Sequence, residues 1–116
     1  MALFRCGSNS GGGEASVYVD DSTGFTPTTS AFTEITFDFA PTKVFFWVNY
    51  NNASVYLFEL NVANNAIYYW YNSSSRASGS GFTPYIQMDS SNPKKVKYKA
   101  YDSNFARKTY CLAVKE

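Results

Sequence analysis

Two cysteines, Cys6 and Cys111, are the most reactive side chains in a chain of 116 residues that contains no histidine. Without an imidazole, most general acid/base, Ser-His and metal-His designs lose their central group. Two thiols without histidine also fall short of the four ligands of a structural zinc site. The nine carboxylates are scattered over the chain and nowhere take the spacing of a calcium loop. The glycine run ending at Gly13 lacks the Lys-Ser/Thr of a phosphate loop. These absences point away from an enzyme and from any cofactor or metal, and toward a protein that works through its surfaces.

The cysteines themselves carry one hypothesis. Cys6 lies in a Gly- and Ser-rich segment, whereas Cys111 lies in the last apolar stretch, on the parity opposite to Tyr110, Leu112 and Val114. If those three face the core, Cys111 faces outward. A thiol on a tether and a thiol on an outer face can form a disulfide within one subunit or between neighbours. The competing reading keeps both as thiols in a reducing compartment.

Aromatic residues carry a second. Ten Phe, ten Tyr and two Trp make 19% of the chain. Phe45 and Trp47 share one parity within residues 44–48, and Tyr68 and Trp70 share one within residues 67–71. Rings in a row on a sheet can stack on sugars; the plainer alternative is that a second layer or a subunit interface covers them. Tyr85, beside Pro84, and Arg76 are candidates for the rim of such a site.

The elements that must position these residues follow from a dominant period of two, broken by turn residues at regular intervals. Strands are expected over residues 15–20, 33–39, 43–50, 54–61, 66–71, 82–88, 94–101 and 109–114. In 33–39, Ile35, Phe37 and Phe39 alternate with Glu34, Thr36 and Asp38. Residues 43–50 are apolar on both parities, which predicts a central strand covered on both sides. Asn51-Asn52 and Asn64-Asn65 turn the chain between neighbouring strands, since asparagine tolerates positive φ. Pro84 assigns its strand to an edge or a bulge. Val96, Tyr98 and Ala100 are expected inward, and Lys95, Lys97 and Lys99 outward. About eight short strands with no helical period predict an all-β fold, an antiparallel two-sheet sandwich or jelly roll, with a closed barrel as the alternative.

Length bounds this to a single domain, which at this size buries roughly two-thirds of its unfolded surface. Residues 1–14 read as a flexible Gly-rich arm and 15–116 as the β domain. Apolar residues are 45% of the chain and charged ones 16%, which excludes a disordered polyelectrolyte. The net charge of +1 supplies no field to hold nucleic acid. Residues 1–60 nevertheless balance at −4 and 61–116 at +5, a split that suits directional self-association or simply reflects solvated strand faces. No apolar run approaches the roughly 20 residues of a membrane helix, and Arg5 beside Cys6 breaks any lipoprotein-like start, so neither membrane insertion nor a signal peptide is expected.

Residues 35–48, Ile-Thr-Phe-Asp-Phe-Ala-Pro-Thr-Lys-Val-Phe-Phe-Trp-Val, resemble small β domains encoded among tailed-phage structural genes, in which an alternating strand meets an apolar-x-Pro-x-x-Val turn. Residues 97–101 and 110–114 are similar to the closing hairpin of those domains, and the start, Met1 to Gly7 with glycine-rich sequence after it, is similar to small phage or prophage proteins of gut-type Firmicutes. The resemblance covers about half of the chain and carries no catalytic residues. It implies a virion component, such as a head decoration, a tail-associated subunit or an adhesion module, that meets copies of itself and other virion proteins. A glycan-binding module and a self-assembling extracellular filament subunit are the alternatives.

Overall fold

Period-two alternation becomes strand over most of its length in the computed structural model, which describes residues 5–6, 18–21, 24–51, 53–72 and 74–116, the first two stretches as main chain only; the expected strands 33–39 and 94–101 end early, at Thr36 and Tyr98. Among the described residues there are ten strands: β1 (Arg5–Cys6), β2 (Tyr18–Asp21), β3 (Thr33–Thr36), β4 (Lys43–Tyr50), β5 (Ser54–Asn61), β6 (Ala66–Tyr71), β7 (Ala77–Ser78), β8 (Ile86–Asp89), β9 (Asn92–Tyr98) and β10 (Thr109–Lys115). They form two antiparallel sheets, one ordered β1-β2-β10-β4-β5-β6-β7 and the other β3-β9-β8. The sheets close on one core, which is the expected sandwich. Its strand number exceeds the expected eight because β1 and β7, two residues each, are too short to leave an alternating signature. Apart from β1, the expected arm of residues 1–14 lies outside the described residues.

The meander β4-β5-β6 follows the asparagines. Asn51 and Asn65 adopt φ of 42° and 52° at the two turns, and Asn72 adopts 53° after β6. Asparagine is the non-glycine residue best suited to that region, because its short side chain bonds to nearby backbone. Asn72 shows how: its N–H donates to the Val55 carbonyl at 2.8 Å, and its Oδ1 accepts from the Val55 N–H at 2.9 Å. The β5/β6 ladder thereby gains one more rung.

Inside, Phe46 and Phe58 of the larger sheet meet Ile86, Val96 and Tyr98 of the smaller one, all buried, with the Phe46 and Tyr98 rings 4.6 Å apart. Much of the aromatic surplus is spent here. Tyr50, Tyr56, Phe58, Tyr69, Phe82 and Phe105 form a connected ring network at one end of the sandwich. Val96, Tyr98 and Ala100 point inward as expected, and so does Phe37.

Three expectations are corrected. Residues 82–85 are not strand: Ser80–Phe82 forms a 3-10 turn and Pro84 sits in the bend that follows, so β8 begins only at Ile86. β4 is central but covered on one side only, since Trp47 remains 49% exposed. The parity of β10 is the reverse of that expected. Thr109, Cys111 and Ala113 are buried while Tyr110 is 43% exposed. Cys111 lies opposite Phe46, where the Phe46, Phe58 and Tyr98 rings already fill the interior, so β10 contributes small side chains inward and its bulk turns out.

Candidate functional site

The outer face of the larger sheet collects the large apolar side chains that the core does not take. Strand register sets them in two rows. Tyr110, Trp47, Leu57 and Trp70 lie opposite one another across β10, β4, β5 and β6. The neighbouring row runs Leu112, Phe45, Glu59, Tyr68 and Ser78. Phe45, Trp47, Tyr68 and Trp70 therefore share one face, as their parity predicts, but β5 separates the two pairs and places Leu57 and Glu59 between them. No layer of the described chain covers this face.

Between the indoles lies an open cleft of about 560 Å³, lined by Trp47, Val55, Leu57, Trp70, Asn72 and Ser74. With β5 between their strands, the main chains of Trp47 and Trp70 stand two strand spacings apart, about 9.6 Å. Leu57 and Val55 sit on the strand between the indoles. The rim is polar and held in place. Asn72 Oδ1 is committed to the Val55 N–H, which leaves its NH₂ group as the outward donor, and Ser74 Oγ accepts from the Tyr71 N–H at 3.2 Å, which leaves its hydroxyl hydrogen free to turn. A second concavity, also about 560 Å³, adjoins at Val55 and is lined by Asn49, Arg107 and Lys108 among others.

Beside the cleft, Glu59 is 5% exposed although it faces outward, because Phe45 and Tyr68 flank it and Arg76 lies over it. The Arg76 guanidinium is 3.5 Å from the Glu59 carboxylate, 3.7 Å from the centre of the Tyr68 ring and 5.9 Å from that of Trp70. An ion pair closed by a cation–π contact keeps a charge in an otherwise apolar row. No protein-family model, characterised protein or solved structure matches this chain.

Arg76 thus joins Phe45, Trp47, Tyr68 and Trp70, whereas Tyr85 does not. Tyr85 precedes β8 of the smaller sheet, edge-on to Tyr101 at 5.1 Å, and packs against the core. Nor are the cysteines brought together. Cys6 pairs with Val19, and Val19 with Val114, so Cys6 stands two strand spacings, about 9.6 Å, from β10 and not level with Cys111. Disulfides need Cα atoms within about 7 Å. Cys111, moreover, is 2% exposed, which corrects its expected outward position and removes it as a contact between subunits. Leu57, Glu59, Asn72 and Ser74 are the site residues that sequence reasoning passed over. The β5 pattern held the signal for Leu57 and Glu59, since both share parity with Val55 and oppose Tyr56 and Phe58.

The opposite face of the sandwich has different chemistry. Lys95 reaches Glu34 at 3.1 Å and Asp89 at 3.8 Å, while the Lys97 and Lys99 ammonium groups lie 5.2 and 4.8 Å from the Phe32 ring. Hydrogen bonds from the Ser91 backbone and hydroxyl, then the Lys95 charge, hold the Asp89 carboxyl below its usual range. Among the described residues no three His, Cys, Asp or Glu side chains gather to hold a metal, and no helix is long and apolar enough to cross a membrane.

Proposed function

We propose that this protein is a non-enzymatic structural subunit of a tailed-phage particle, of the adhesion or tail-associated kind, which assembles with its own copies through its N-terminal side. The outer face of its larger sheet is the contact surface. The observation that carries the reading is the row Tyr110-Trp47-Leu57-Trp70, in which Tyr110 and Trp47 are exposed and Leu57 and Trp70 half-buried, because a contiguous apolar row on an outer sheet face marks a contact surface. The resemblance of residues 35–48 to phage structural domains supplies the setting. The division of labour follows from sheet order: β1 and β2 end one side of the larger sheet, and the cleft sits toward the other, on β4, β5 and β6.

Light scattering coupled to size-exclusion chromatography tests the assembly half. The full chain is expected to elute as a defined oligomer, and a chain lacking residues 1–13 as a folded monomer, since β1 contributes only two residues to the sheet. Identical masses for the two would refute the role of the N-terminal side.

A further inference from the structure

Resting on the reading of this face as a contact surface, we infer that the cleft between Trp47 and Trp70 binds a pyranose ring of an oligosaccharide. A sugar ring has apolar C–H faces and a hydroxyl edge. The cleft offers two indoles and Leu57 to the faces, and the Asn72 amide and Ser74 hydroxyl to the edge. None of its lining residues is charged, so nothing in it demands an ionic ligand. The amide donor is fixed before any ligand arrives: Asn72 is clamped to Val55 through both its backbone and its side chain, which lowers the entropy lost on binding. Trp47 has half of its surface open to solvent, as a stacking platform requires.

The two tryptophans of the chain both line this cleft, so tryptophan emission, excited at the red edge where its ten tyrosines do not absorb, reports on it. The test is an array of neutral and acidic glycans probed with the full chain and with Trp70→Ala and Trp47→Ala, each variant checked for folding by circular dichroism, followed by fluorescence titration with each glycan retained. The expected result is capture of pyranose glycans with a shift in tryptophan emission, and binding weakened about tenfold or more in whichever variant folds. No captured glycan overturns the inference, and so does capture undiminished by both variants. Binding limited to acidic glycans, kept by Trp70→Ala and lost in Lys108→Ala, would place the ligand in the adjoining cationic concavity and also overturn it. If instead no glycan binds but Trp70→Ala changes the oligomer mass, copies meet through this face: the saccharide assignment falls, and so does assembly through the N-terminal side alone, while the face remains a contact surface.

Discussion

Tyr98 illustrates how a single residue sets a pH limit on this fold. Its ring is 2% exposed between the sheets, and burial pushes its phenol well above the ordinary range, with a hydrogen bond to Thr109 acting weakly the other way. The folded state therefore holds a proton that the unfolded chain releases above about pH 10. This contribution to stability is intact below that pH and falls as pH rises beyond it. Urea melts between pH 8 and 11 should show the decline, with a shallower alkaline slope in Tyr98→Phe. Glu59 makes a different demand. Removing Arg76 leaves its carboxylate buried between Phe45 and Tyr68, so Arg76→Ala is expected to cost about 1–2 kcal/mol, at the low end for a broken pair because the arginine is half exposed. Glu59→Gln combined with Arg76→Ala should recover part of that loss, and additive effects in the double-mutant cycle would contradict the pairing.

At the scale of elements, β10 decides what its residues can do. Its inward parity shields the Cys111 thiol, so in a Cys6→Ser background N-ethylmaleimide should label Cys111 only after denaturation; rapid labelling of that native variant would restore the outward position. Alternation made β10 visible in the sequence but left its parity undetermined, because Tyr110, Leu112 and Val114 form as plausible an inner face as Thr109, Cys111 and Ala113. The choice depends on volume supplied by Phe46, Phe58 and Tyr98 from elsewhere in the chain. The inner and outer faces of β9 were legible, since lysines at 95 and 97 mark the outer one, but its bounds were not: it runs Asn92–Tyr98 where 94–101 is expected. The meander was legible through its asparagines. The cleft was legible in part: the tryptophans could be assigned a shared face, but Leu57 between them comes from the strand order, and Asn72 and Ser74 from a turn whose backbone has no periodic signature.

Across the whole molecule, the two outer faces and the sheet edges separate into different chemistries. The larger sheet presents aromatic rings and a covered ion pair, the smaller one lysines arranged around Phe32, and the N-terminal strands close one edge of the larger sheet. A subunit so divided can attach by one side and keep another for a ligand. The net charge split along the chain fits that asymmetry, as the lysines of β9 lie in its basic half. Electron cryomicroscopy of the assembled full-length protein tests this arrangement most directly. Copies are expected to join through the β1/β2 side with Trp47 and Trp70 facing solvent; a map with those tryptophans buried between copies, or with no assembly at all, would contradict this arrangement.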